Sequence, residues 1–234
     1  MKSLVASAGL AALALASPVG AAQETAPPAA PQQPPQSAEA PAALAKAVDG
    51  LHLVVLEDQE GGMASIQNEQ GQSALIAFLQ PAAAEAARQN PAITNMSIST
   101  VPVLPLLQAW EGPIVFEGGA AEVEQANTLS TEEHDFMAPV FMVLVDGKET
   151  QINTQVGPVT PILLSHEDAQ GMVANLEQQD LGAGNITVQP LEFGAVLQQL
   201  NALEEDAGYR FFTHPETVAL LQPAQPQANG TITQ

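Results

Sequence analysis

The sequence contains no cysteine. Disulfide staples, thiol catalysis and a lipid-modified N-terminal cysteine are therefore excluded. Positive charge is also scarce. Five Lys and Arg stand against 26 Asp and Glu, a formal charge of −21 at pH 7. Nucleic acid and anionic membranes are poor partners for such a chain, because phosphate contacts need basic groups. Cationic peptides and neutral partners remain open. Aromatic residues make up only 4%, with a single Trp and a single Tyr. Hydrophobic residues nevertheless reach 46%, enough for a sizeable core. No run approaches the roughly 20 apolar residues that a membrane span needs. Nucleophile-elbow, phosphate-loop and dinucleotide-fingerprint motifs are missing as well, so neither an enzyme nor a cofactor is expected.

What is present begins with "MKSLVASAGLAALALASPVGAA", residues 1–22. A lysine, an apolar stretch and small residues in that order form a secretory signal peptide. Export without disulfides points to a soluble periplasmic protein. Residues 23–45, "QETAPPAAPQQPPQSAEAPAALA", are rich in Pro, Ala and Gln and read as a disordered tether. Residues 223–234 read as a tail of the same kind. A folded domain is expected over 46–222.

Within that domain the chain repeats its order of elements. "LHLVVLED" pairs with "PVFMVLVDG", and "ALIAFLQPAAAEAARQ" with "TPILLSHEDAQGMVANL". "MSISTVPVLPLLQAW" pairs with "ITVQPLEFGAVLQQL", and "PIVFEGGAAEVEQANTL" with "YRFFTHPETVALLQ". Leu107 matches Leu197, and Ala84 matches Ala169. The spacing drifts where loops change length. Each copy, about 48–130 and 137–222, reads as strand, strand, strand, helix, strand, helix, strand, helix. The short apolar runs rich in β-branched residues are buried strands. Pro81 and Pro215 mark helix starts, and Asp146–Gly147 marks a hairpin turn. The expected fold is α/β, internally duplicated, with two pseudo-symmetric halves packed as one domain.

Two clusters could carry proton or metal chemistry. "LLSHEDAQ" places His166, Glu167 and Asp168 together, and "STEEHDF" places His134 among Glu132, Glu133 and Asp135. An acid–base or metal-dependent enzyme using His134 or His166 is the alternative that these clusters raise. The repeat argues against it, because Pro81, Ala82 and Ala83 stand where the second copy has His-Glu-Asp. Helix entry is what the copies share. The "SHED" cluster then reads as a capping box, with Ser165 accepting the Asp168 N–H and Asp168 returning to the Ser165 N–H. Adjacent residues of "EEHD" do not converge on one point as metal ligands must, so that stretch reads as a solvated acidic linker. His52 opens an expected strand and His214 an expected helix. Glu204, Glu205 and Asp206 form a further acidic cluster, as any chain this acidic will contain. The sequons at Asn95, Asn185 and Asn229 carry little weight. An apolar groove rimmed by carboxylates would suit an unfolded, partly basic peptide. Trp110, Phe136, Met137, Met142 and Met172 are the candidate polypeptide-binding residues, Met being adaptable to varied apolar ligands.

The second copy resembles the Tic-like family, whose namesake is the small intermembrane-space subunit of the chloroplast inner-envelope import translocon. The residues that carry the resemblance are Ser165, Asp168, Ala169, Gln170, Leu191, Glu192, Pro215 and Glu216, together with "PVF" at Pro139 to Phe141. The first copy lacks the "D-A-Q" and "L-E" signs. The resemblance implies an internally duplicated domain and a non-enzymatic role: holding unfolded or translocating polypeptides, in protein transport or outer-membrane biogenesis. A structural subunit of an envelope complex is a further alternative. No catalytic or cofactor-binding residue transfers from the family.

Overall fold

The computed structural model describes residues 40–67, 73–131, 134–155, 157–179 and 184–222. The readings of 1–22, most of the tether, Glu132, Glu133, Asn229 and the tail lie outside the described residues. Along the chain run α1 (Ala42–Ala47), β1 (His52–Glu57), β2 (Ser65–Gln67), β3 (Ser73–Phe78), α2 (Pro81–Ala87), β4 (Ser97–Pro102), α3 (Val103–Ala109), β5 (Ile114–Glu117) and α4 (Ala120–Leu129). Then follow β6 (Pro139–Val145), β7 (Lys148–Glu149), β8 (Ile152–Thr154), β9 (Gly157–Leu163), α5 (His166–Gln178), β10 (Ile186–Glu192), α6 (Phe193–Asn201), β11 (Tyr209–Phe212) and α7 (Pro215–Leu221). The described residues are thus mixed α/β, with two sheets and seven helices.

Both sheets are built in the same order. In the first, β1 pairs antiparallel with β4 and β3, and β3 pairs parallel with β5. In the second, β6 pairs antiparallel with β10 and β9, and β9 pairs parallel with β11. The short strands β2, β7 and β8 extend β3, β6 and β9. Asp146 and Gly147 both adopt positive φ, 52° and 72°, as the tight turn between β6 and β7 requires.

Side-chain alternation explains the layering. Leu53, Val55, Leu75 and Ala77 of the first sheet join Val140, Met142 and Ile162 of the second in one central core, closed by α3, α6 and α1. The intervening residues face outward. Val54, Leu56, Ile76 and Phe78 are covered by Ala83 and Ala84 of α2. Phe141, Val143 and Leu163 are covered by Ala126 of α4 and Ala169 of α5. Strands buried on both faces read as continuous apolar runs, which is why "LHLVVL" and "VFMVLV" stand out in the sequence.

The last helix of each segment is exchanged. α4 follows a strand of the first sheet but packs on β10 and β6, whereas α7 follows a strand of the second but packs on β4 and β1. Thr217 of α7 is wholly buried, and its hydroxyl has no hydrogen-bond partner. Thr217→Val keeps the shape and removes an unpaired polar atom, so a gain of up to about 1 kcal/mol in urea unfolding is expected.

The tether reading needs a correction at its end. Residues 42–45, assigned to it, are helical, and Ala43 and Leu44 are buried. Leu44, Ala47 and Val48 form an apolar seam at helical spacing, which seats α1 against α6 and β11. Lys46 adds an ion pair to Asp206 at 3.3 Å, and Arg210 grips the same carboxylate through Nη1 and Nη2 at 2.9 and 2.8 Å. The Arg210 hydrogen bonds, with help from the Gly208 N–H and Lys46, hold Asp206 well below the usual carboxylate range against the opposing effect of burial. A depressed folded pKa stabilises above the unfolded value and is lost as pH falls through the folded one. Asp206→Asn should therefore cost roughly 1–3 kcal/mol at neutral pH. The gap to the parent should narrow as pH drops below about 4. Urea melts at pH 7, 5 and 3 test this, and a gap that does not change with pH would refute it.

Candidate functional site

The N-terminus of α5 settles what "SHED" does locally. Ser165 is almost fully buried, and its Oγ accepts the Asp168 N–H at 3.1 Å. The expected return bond to the Ser165 N–H is replaced. The Ser165 hydroxyl itself donates to Asp168 Oδ2 at 2.7 Å, and Glu122 of α4 accepts the His166 N–H at 2.7 Å. The cap is therefore shared with the exchanged helix. The His166 ring lies 5.5 Å from that of Phe141 and hydrogen-bonds Gln170. His134 stacks edge-on against Phe136 at 4.4 Å. His52 opens β1 and binds the Gly50 carbonyl, and His214 caps α7 by accepting the Glu216 N–H. Among the described residues no group of three or more His, Asp and Glu converges as metal ligands would. Ser165→Ala should cost about 1 kcal/mol through loss of the cap. His166→Ala should cost less, because the bond to Glu122 uses the backbone. Thermal melts of the two variants side by side check the order.

Three open grooves offer binding space. One, of about 360 Å³, lies between the inner face of the second sheet and α6, with Met142, Ile162, Leu191 and Leu200 as its apolar lining. At its rim the Tyr209 hydroxyl donates to the Glu149 carboxylate at 2.9 Å. Burial, then the hydrogen bond that the hydroxyl donates to Glu149 and the charge of that carboxylate, push the Tyr209 phenol above its ordinary pKa. A second, of about 530 Å³ and more polar, runs along β10 opposite residues of the 129–136 segment, including Thr131, His134 and Phe136. A third, of about 420 Å³, is formed by Leu107 of α3, Trp110 just past its end, Ile114 and Phe116 of β5, and Leu197 of α6. The Trp110 indole N–H is held by the Pro113 carbonyl at 3.0 Å.

The five candidate binding residues are not brought together. Trp110 lines the third groove, Phe136 the second and Met142 the first. Met137 is the most exposed large apolar side chain among the described residues, at 56%. Met172 packs against the outer core of the second sheet. Sequence reasoning missed Glu149, Tyr209 and the whole of β10 as groove-forming. For β10 there was a signal: Pro190 interrupts "ITVQPLE", and proline in a strand marks an edge.

No protein-family model matches the sequence, and no curated protein matches it. Solved structures share its fold, among them two Tic22 proteins. Tic22 from Anabaena, a protein described with protein transport, superposes with a TM-score of 0.59 at 20% identity, covering 79% of this chain and 98% of the other. Tic22 from Plasmodium falciparum gives 0.57 at 14% identity, covering 74% and 93%. Over nearly the whole length of both, this chain folds as a Tic22-like protein.

Proposed function

We propose that the chain is a non-enzymatic member of the Tic22 family that binds unfolded or translocating polypeptides in the periplasm. It would act in a chaperone-like way in protein transport or outer-membrane biogenesis. The observation that carries this reading is the fold match spanning almost all of Anabaena Tic22, a protein-transport protein. The chemistry of the surface agrees with it. Three open grooves of a few hundred cubic ångströms have the size of small clusters of side chains. Their linings mix apolar side chains with amides that can hydrogen-bond a peptide backbone. The charge of −21 keeps the protein soluble and favours clients that carry basic residues. The shared strand order of the two sheets supports an origin by internal duplication, with the halves interlocked through α4 and α7.

The test is aggregation of a urea-unfolded outer-membrane β-barrel chain after dilution, followed by light scattering. Suppression at stoichiometric to several-fold excess is expected. An unchanged scattering trace at several-fold excess would overturn the reading.

A further inference from the structure

We infer that client polypeptide is held by β-augmentation: an extended, basic segment adds as a strand along the outer edge of β10. This rests on the polypeptide-binding reading and names its site. β10 is an end strand of the second sheet, whose order is β10–β6–β9–β11. Its inward side is fixed by register. Leu191 opposes Val140, Gln189 opposes Met142 and Thr187 opposes Leu144. The ladder continues at both ends, where the Phe193 N–H donates to the Ala138 carbonyl and the Asp146 N–H to the Asn185 carbonyl, each at 2.9 Å. Backbone groups alternate in direction along an antiparallel strand. The odd-numbered residues therefore bond to β6, and Ile186, Val188, Pro190 and Glu192 turn their backbone groups away from it.

The trough of about 530 Å³ lies on that edge. Its lining includes every residue from Thr187 to Glu192. Consecutive strand residues point to opposite faces of a sheet. A single trough can touch all of them only at the strand's edge. Thr131 and His134 line it on the side facing β10, and its volume of about 530 Å³ is the space open to an added chain. Pro190 presents a carbonyl but no N–H to the trough, so an added strand finds donors at Ile186, Val188 and Glu192 and a gap between the last two. Edge proline is also a familiar guard against uncontrolled pairing. The occupant is a foreign segment with basic residues. A second copy brings another charge of −21, and residues 23–39 and 223–234 contain no Lys or Arg.

Two substitutions test this without touching the ladder to β6. Pro190→Val supplies the missing outward N–H, and Val188→Pro removes an existing one. The probe is a fluorescent peptide of alternating Val and Lys, with a twin N-methylated on alternate amides, read by anisotropy. Binding to the parent is expected to tighten several-fold in Pro190→Val, weaken several-fold in Val188→Pro, and be lost with the methylated twin. Circular dichroism checks the fold of each variant. If Val188→Pro fails to fold, the other two arms still decide. Equal binding across these arms would overturn the edge while leaving polypeptide binding intact. A parent that binds neither peptide would remove the polypeptide-binding reading and the inference with it. Dimerisation of Pro190→Val without peptide would make a second copy the occupant and overturn the proposal.

Discussion

Replacing Phe193 by Ala should destabilise the protein by about 4 kcal/mol, the largest loss expected from any single truncation in the central core. Phe193 is fully buried at the start of α6. Its ring meets Phe116 edge-on at 4.9 Å and Phe211 at 5.2 Å. Phe116 comes from β5 of the first sheet and Phe211 from β11 of the second, so one ring joins the two. Truncation opens a cavity that neither sheet can close by itself. It also removes two edge-to-face pairs, each worth about 0.5–1.5 kcal/mol beyond area. Domains of this size hold only about 5–15 kcal/mol in reserve, so the variant should sit near the edge of folding. Urea unfolding measures the loss. Phe193→Leu, which refills most of the volume, should recover about half. A loss below about 1 kcal/mol for Phe193→Ala would show that the sheets do not depend on this ring.

Much of the strand and helix pattern was legible because it is local. β-branched apolar runs gave the buried strands, Pro81 and Pro215 gave the helix starts, and Asp146–Gly147 gave the hairpin. The capping role of Ser165 was legible for the same reason, since cap and capped N–H lie three residues apart. What sequence could not give was contact between remote segments. α4 and α7 look like helices that finish their own sheets, yet each lies on the other sheet. The partner of Glu122 is a backbone N–H 44 positions away, which no periodicity announces. The binding-residue choices scattered for a related reason. Large soft side chains mark apolar surroundings, but α6 presents Val196 and Leu200 to one groove and Leu197 to another. Which groove a side chain enters is decided by helix packing. The edge of β10 carried one visible sign, Pro190, whose meaning depends on knowing which neighbour strand lies on which side.

Gln80→Leu should cost about 3 kcal/mol, the largest loss expected from exchanging a single polar side chain of this protein. In the sequence Gln80 is only the polar residue before Pro81. In the fold it is buried, and its amide is used at both ends. Nε2 donates to the Leu164 carbonyl at 2.6 Å, and Oε1 accepts the Gly119 N–H at 2.7 Å. Gly119 is the N-cap of α4, Leu164 precedes the N-cap of α5, and Gln80 is itself the N-cap of α2. One amide therefore fixes three helix starts, and among them is the helix exchanged onto the second sheet. Leucine fills the space but strands a buried carbonyl and a buried N–H, each costing about 1–3 kcal/mol. Gln80→Glu distinguishes this account from simple loss of packing. The carboxylate still accepts from Gly119 but faces the Leu164 carbonyl without a proton to give. Its folded pKa is thereby raised, so the penalty is present at neutral pH and fades as the solution is acidified and the carboxyl gains a donor. Urea melts at pH 7 and pH 4 should show Gln80→Glu regaining stability relative to the parent, while the deficit of Gln80→Leu stays nearly constant. Parallel deficits at both pH values would mean that the donor to Leu164 is not what holds these three helix starts in place.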